Sequence, residues 1–260
     1  MSDSETGNLL TETLENGVLT LSLGGGKAHA LSSAMLAALE ATLERAEADS
    51  EARVIVIHGP GHIFCAGHDL KEIARHRDDP DNGRAYLQDL FDSCARVMQH
   101  LAQGSKPTIA MVDGIATAAG AQIVAACDLA FVSERASFCL PGVQNGGFCS
   151  TPSVAVGRAI SRKQLMEMAL SGDVYDADWA LSVGLVNRVV SSNELLATVR
   201  TFAEKLATRH APAIALGMRT FDQQMTLPLE RAYDAAGAAM IEHFMDPWRI
   251  EMERKSWRRD

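Results

Sequence analysis

Apolar and polar residues alternate along "LLTETLENGVLTLSL" (9–23), on both sides of Asn16-Gly17. Alternation with period two marks strands, and an Asn-Gly pair accepts the positive φ of a tight turn, so a β-hairpin is predicted. After Ser32 and Ser33, either of which offers an N-cap, Met35, Leu36, Leu39 and Leu43 recur at helical spacing. "RVIVIHG" (53–59) is a β-branched run, expected as a strand buried on both faces. The loop "PGHIFCAGHDLKEI" follows it, and then a polar stretch, "RHRDDPDNGR", expected to be mobile. A helix carries Tyr86, Leu87, Leu90, Phe91, Val97, Met98 and Leu101 until Lys106-Pro107 breaks the period. "TIAMVDG" then predicts the next strand.

The small-residue run 113–128 predicts a helix, and "LAFVSE" (129–134) a further strand. Strand, turn and helix thus occur twice, over 53–70 and 108–127, which suggests a repeated ββα architecture in an α/β chain. "SRKQLMEMALSGD" reads as a helix stopped at Gly172, and "DADWALSVGLVNRVV" as a helix stopped at Gly184 with a short strand after it. Beyond Asn193 the pattern is helical, broken at Pro212, Pro228 and Pro247. Two parts follow from this: an α/β core over 1–200 and a helical C-terminal part over 201–260.

Composition narrows the partners. The 260 residues are 47% hydrophobic and 22% charged, as expected of a globular chain. A net charge of −9, with basic residues gathered only in the tail "ERKSWRRD", excludes nucleic acid as the expected partner. Five scattered cysteines with no C-x-x-C pair suggest neither a zinc site nor a disulfide framework, so no metal is expected. The start "MSDSETGNLL" has neither a basic n-region nor an Arg-rich transit composition, and no apolar run approaches a membrane span. A cytoplasmic protein without a membrane partner is the expectation.

Two turns carry candidate chemistry, "FCAGHD" (64–69) and "ATAAGA" (116–121). Each places small residues where a strand passes into a helix. N–H groups at a helix start lack intrahelical acceptors and favour negative charge. Facing one another, two such turns would aim two donors at one oxygen, the geometry of an oxyanion hole.

With these motifs in place the chain resembles the crotonase, or enoyl-CoA hydratase/isomerase, superfamily. The resemblance is carried by "VIVIHGPGHIFCAGHDLKEI", "KPTIAMVDGIATAAGAQIVAACDLAFVSERASFCLPGV" and "LMEMALSGDVYDADWALSVGLVNRVV", in order across most of residues 18–190. Within it, "FCAGHDLKE…ATAAGAQ…CD…PGV…FCSTP" most resembles the enoyl-CoA hydratase domain-containing protein three subgroup. The resemblance implies a crotonase-like spiral of ββα units with a C-terminal helical trimerisation region, and a homotrimer or dimer of trimers. It implies an acyl-CoA ligand, with coenzyme A present as part of the thioester substrate and no covalently bound cofactor. It places the oxyanion donors on the N–H groups of Ala66 and Ala119. Gly67, His68, Asp69, Leu70, Ile115 and Pro141 would line the acyl site, and Ala28 and Ala30 the adenine and pantetheine end.

The chain departs from the hydratase pattern where two glutamates are expected. Gln122 stands at the first position and Gly142, after Pro141, at the second. An amide holds a water but cannot take its proton, and glycine does neither. The resemblance therefore implies a thioester-processing protein in which hydration by the paired carboxylates is impaired, or a non-catalytic acyl-CoA-binding protein. His68 and Asp69 are the nearest alternative proton carriers, or else a packed imidazole and a helix cap. Cys149 is either near the acyl group or a small core residue. His58 and His62 read as surface or turn residues, and Asp128 as structural. The tail "DPWRIEMERKSWRRD" keeps only the basic and tryptophan character of the family's last helix.

Overall fold

A computed structural model describes residues 8–256. The first seven residues, with most of the start read for targeting signals, and 257–260 of the basic tail lie outside the described residues. The chain divides into two compact units. One runs through Thr208 without Gln103–Lys106, and the other joins Gln103–Lys106 to the chain from Arg209 onward.

The first unit begins with the expected hairpin. Strands β1 (Leu10–Glu15) and β2 (Val18–Leu23) pair antiparallel, and Asn16 and Gly17 take φ of 51° and 79° between them. Helix α1 (Ser33–Ala48) starts at Ser32, whose hydroxyl accepts from the Met35 N–H at 3.1 Å. Then come β3 (Val54–His58), β4 (Ile63–Cys65), α2 (Leu70–Arg75), and α3 (Arg84–Gln103). The polar stretch between α2 and α3 is folded: His76–Asp78 form a 3-10 turn, the His76 ring stacks on Tyr86 at 3.7 Å, and Asp81 accepts from the N–H groups of Gly83 and Ala85.

The ββα order then recurs as β5 (Thr108–Val112), β6 (Ile115–Thr117) and α4 (Ala119–Ala126). A third turn follows, as β7 (Leu129–Ser133), β8 (Ser137–Cys139), a 3-10 turn at Pro141–Asn145 and α5 (Ser150–Ala159). Only two turns are legible in the sequence, because in the third the 3-10 turn separates β8 from its helix, whereas α2 and α4 begin within five residues of β4 and β6. Helix α6 (Arg162–Ser171) ends at Gly172 in the left-handed conformation, φ 68°. After β9 (Tyr175–Asp176) and α7 (Ala177–Ser182), β10 (Arg188–Val190) leads to α8 (Ser192–Ala207).

The first strand of each ββα turn enters one sheet and the second strand enters another. The larger sheet has the order β1-β2-β3-β5-β7-β10, parallel from β2 onward, and the smaller has the order β4-β6-β8-β9. Both faces of the larger sheet are covered, which explains the uninterrupted apolar strands. Ile55, Ile57, Ala110, Val112 and Val132 face one core, whereas Val54, Val56, Ile109, Met111 and Phe131 face another with Leu195, Val199 and Ala203 of α8. Helix α8 thus belongs to the α/β unit, and the expected boundary at 200 falls inside it. Asp128 ties its loop to β5, accepting from the Thr108 N–H at 2.7 Å and hydroxyl at 2.8 Å.

The second unit contains α9 (Ala211–Gln224), α10 (Leu229–Met245) and α11 (Pro247–Ser256). Each proline expected as a break stands within one residue of a helix start, where its missing N–H has no intrahelical acceptor to lose. His210 stacks on Trp248 and lies 3.1 Å from an Asp246 carboxylate oxygen. Within α9–α11 only Ala232 and Ala239 are buried, while Phe221, Leu229, Tyr233, Ile241 and Met245 are each at least 60% exposed.

Candidate active site

Strands β4, β6 and β8 lie side by side and parallel, so their C-terminal residues Cys65, Thr117 and Cys139 end at one edge of the smaller sheet. The open ends of parallel strands are where α/β proteins place their sites. Both candidate turns leave from this edge.

Backbone accounting decides which donors are free. The Ala66 N–H, the expected first donor, is bonded to the Ala28 carbonyl at 3.0 Å, and the Ala66 carbonyl accepts from the Thr117 hydroxyl at 3.0 Å. The Gly67 N–H meets the Cys65 sulfur at 3.4 Å, and the Gly67 carbonyl accepts from the Leu31 N–H at 2.8 Å. The Asp69 N–H returns to the Leu31 carbonyl at 3.3 Å. His68 is bridged in parallel to Leu31, yet both bonds of that bridge are made by its neighbours. Its own N–H points to the opposite side, and among the described residues it has no partner. The free donor is therefore two residues beyond the expected one: the 28–31 segment takes the N–H groups of Ala66 and Asp69, and Gly67, at φ 85°, breaks the alternation of an extended strand between them.

The second turn holds its expected donor. Ala118 has φ 49° and ψ −115°, its N–H bonded to the Cys139 carbonyl at 3.0 Å and its carbonyl accepting from Gln122 at 3.0 Å. A non-glycine residue in this region is strained by about 1–3 kcal/mol, and such strain collects at functional sites. The turn leaves the Ala119 N–H, in the first turn of α4, without a partner among the described residues. The two turns touch. A Cβ on Gly67, itself at φ 85°, would lie 3.1 Å from the Ala118 Cβ and 3.3 Å from the Ala119 nitrogen. Glycine at 120 serves the same approach, since a Cβ there would collide with the Cys65 carbonyl.

The segment that sets this pattern is held by His29, which sequence reasoning missed. Its ring is 5% exposed, with Nδ1 3.1 Å from the Gly24 carbonyl oxygen and Nε2 2.9 Å from that of Pro60. Its backbone φ is 45°. The alternation "KAHAL" was the only signal. Ala28 is exposed and Ala30 half-buried on either side of it.

The remaining expected site residues are distributed as follows. Asp69 is the N-cap of α2, accepting from Lys71 at 2.9 Å and Glu72 at 3.2 Å. Leu70 is 69% exposed at the start of α2. Ile115 begins β6 opposite Ile63, at the other end of the strand from the donors. Gln122 is 4% exposed, and its Oε1 has no partner among the described residues. Three residues after Ala119, it shares that residue's helix face. Pro141 opens the 3-10 turn that contains Gly142. A Cβ on Gly142 would lie 2.7 Å from the Cys149 nitrogen and 2.9 Å from the Phe148 carbonyl carbon, so backbone already fills that space.

His68 presents its ring edge to Phe91 with centroids 5.3 Å apart, and its Nε2 is buried with no partner among the described residues. Burial lowers its pKa from the ordinary histidine value, so the ring is neutral near pH 7. His58, read as a surface residue, instead ends β3, half-buried and 3.4 Å from the Met111 carbonyl oxygen, with its pKa also lowered by burial. Cys149 is 8% exposed and burial raises its thiol pKa. The same effect holds Cys139 at about 11 and Cys65 at about 12, so these sulfurs are thiols rather than nucleophilic thiolates. Among the described residues, no group of three or more His, Cys, Asp or Glu is placed to hold a metal, and no helix is long and apolar enough to cross a membrane.

Comparison with known proteins agrees with this architecture. The sequence profile of the enoyl-CoA hydratase/isomerase family matches residues 13–257. The human protein named "Enoyl-CoA hydratase domain-containing protein 3, mitochondrial" is 40% identical over 217 residues, covering 84% of this chain and 70% of its own. A crystal structure of that human protein superposes with a TM-score of 0.90 at 36% identity, over 96% of this chain and 98% of the other. An enoyl-CoA hydratase/isomerase family protein from Silicibacter pomeroyi is 56% identical with a TM-score of 0.88, over 92% of this chain and 100% of its own. The two split sheets, the recurring ββα turns and the C-terminal helices are thus those of the crotonase fold, and the chain belongs to the enoyl-CoA hydratase/isomerase family.

Proposed function

We propose that this protein binds a coenzyme A thioester and holds its carbonyl oxygen between the N–H groups of His68 and Ala119. One observation carries the reading: these are the unpartnered donors of two turns packed within van der Waals contact. Each such donor contributes about 2.7–4 kcal/mol to a developing oxyanion. The chemistry this favours is formation of an enolate at the carbon beside the thioester. Coenzyme A is part of the substrate here rather than a resident cofactor.

Hydration by paired carboxylates is not the reaction we assign. The Gln122 amide takes no proton, and Gly142 carries no side chain. Those same positions favour a second reading, acyl-CoA binding without turnover. Titration calorimetry with butyryl-CoA and with free coenzyme A tests the binding; equal affinities for the two would remove the oxyanion role. Following crotonyl-CoA by its conjugated absorbance tests hydration, which should be slow. Rapid loss of that absorbance would overturn our assignment of Gln122 and Gly142.

We further propose a homotrimer or dimer of trimers. Several large apolar side chains on α9–α11 are exposed, and association is a usual means of covering such side chains.

A further inference from the structure

The buried ring of His29 faces an acceptor on each side: the Gly24 carbonyl oxygen 3.1 Å from Nδ1 and that of Pro60 2.9 Å from Nε2. A carbonyl oxygen only accepts, and a neutral imidazole has one donor nitrogen and one acceptor nitrogen. A neutral ring would therefore set a nitrogen lone pair against an oxygen lone pair on one side. Both carbonyls belong to anchored backbone. The Gly24 N–H is bonded to the Leu9 carbonyl at 2.8 Å. Gly59, just before Pro60, packs so closely on Phe64 that a Cβ there would lie 2.0 Å from the Phe64 carbonyl oxygen. Both distances are satisfied together when each ring nitrogen carries a hydrogen.

Resting on the acyl-CoA reading above, we propose that His29 is an imidazolium clamp and the positioning residue of the oxyanion donors. It ties the end of β2 to the loop after β3 and so fixes the 28–31 segment. That segment bonds the Ala66 and Asp69 N–H groups to Ala28 and Leu31, which leaves the His68 N–H for the thioester. The φ of 45° at His29, uncommon for a residue with a side chain, aims the ring at both carbonyls. Charge-assisted bonds are roughly twice as strong as neutral ones, which is what a charge at 5% exposure requires.

The charged and titratable groups around the clamp do not replace it. Lys27 on the same segment and His62 on the loop after β3 are exposed. His58, at the end of β3, is kept neutral chiefly by burial, with His29 adding a smaller repulsion. Asp113, beyond His58, pairs with Arg135. From the turn after β4, Asp69 is committed to the cap of α2, and the His68 ring is neutral through burial.

The test uses the full chain with isotope-labelled histidine, read by nitrogen NMR at about pH 7.5, where an ordinary imidazole is mostly neutral. His29→Asn assigns the signal and serves as the variant. Asparagine tolerates a positive φ, but its single amide nitrogen cannot bridge carbonyls on opposite sides of a ring. Wild type should show both His29 nitrogens protonated; one bare nitrogen would overturn the proposal. In His29→Asn, amide exchange should quicken by about tenfold or more at Leu31 and Ala66 and stay unchanged at Ile109 and Val132 of the larger sheet. Unchanged exchange at Leu31 and Ala66 would refute the positioning role. Equal acceleration at all four would do the same, since a general loss of stability produces that. The calorimetric preference for butyryl-CoA over free coenzyme A should fall by about threefold to tenfold in the variant, and a preference kept in full would also overturn the role. A wild type without that preference would instead remove the acyl-CoA reading, while spectrum and exchange still decide the clamp. Should the variant not fold, the wild-type spectrum decides alone.

Discussion

Placing glutamates at both family positions, Gln122→Glu with Gly142→Glu, should not create an efficient hydratase. If missing carboxylates were the whole difference, each restored group would add about 10²–10⁴-fold to the rate. At 122 the change is nearly isosteric, though it leaves a carboxyl group in a place 4% exposed. At 142 the obstacle is backbone. The first side-chain carbon would sit 2.7 Å from the Cys149 nitrogen, 2.9 Å from the Phe148 carbonyl carbon and 3.1 Å from the Cys149 sulfur. Ordinary contact begins near 3.4 Å. The chain at 148–149, which leads into α5, must therefore retreat by about 0.7 Å, at an overpacking cost of about 1–3 kcal/mol. In a chain of this size each kcal/mol lowers the melting temperature by about 2–4 °C. Calorimetric melts at fixed protein concentration should show Gly142→Ala already destabilised and Gly142→Glu more so. The double variant should leave crotonyl-CoA unconsumed under conditions where it still binds. A double variant that melts with wild type and hydrates crotonyl-CoA rapidly would refute the steric argument and return the question to chemistry alone.

Ala118→Gly should raise the melting temperature by a few degrees. It relieves a conformation costing about 1–3 kcal/mol, offset by about 0.5–1 kcal/mol of glycine entropy, and a clear drop would show that Ala118 is unstrained. Acidification should destabilise the protein through His58 and His68. Both have folded pKa values lowered by burial, so the unfolded chain takes up protons first; their contribution is complete above about pH 6.5 and is lost below it. Melts at pH 7.5 and 5.5 should show the loss, and His58→Gln should reduce it; an unchanged pH dependence would exclude His58. A lysine at Leu229 or Ile241, now 76% and 62% exposed, should lower the mass seen by size-exclusion light scattering from three or six chains toward one, whereas a wild type that is already monomeric would sink the trimer.

Much of the fold is legible because local rules and tertiary packing agree. The Asn16-Gly17 hairpin, the Ser32 and Asp69 caps and the Gly172 stop each rest on one or two residues whose backbone preference is strong. The apolar runs 54–58 and 108–112 indicate strands covered on both sides, and α8 supplies one of those covers. Its place in the core was not legible, because a Leu195, Val199, Ala203 stripe suits any buried surface. The third ββα turn was hidden by the 3-10 turn that separates β8 from α5.

What the sequence determined alone is that two small-residue turns open at helix starts, with an amide at 122 and glycine at 142. Which N–H groups are free was decided by the tertiary structure. The bonds from Ala66 to Ala28 and from Leu31 to Gly67 join segments more than thirty residues apart, and they take the expected donor while leaving that of His68. The meaning of Gly142 was decided in the same way. In the sequence it marks an absent carboxylate, whereas in the fold it is the one residue small enough to lie against the backbone of Phe148 and Cys149. A hydrogen-bond donor is available or spent according to its neighbours in space, and linear sequence carries no direct record of them.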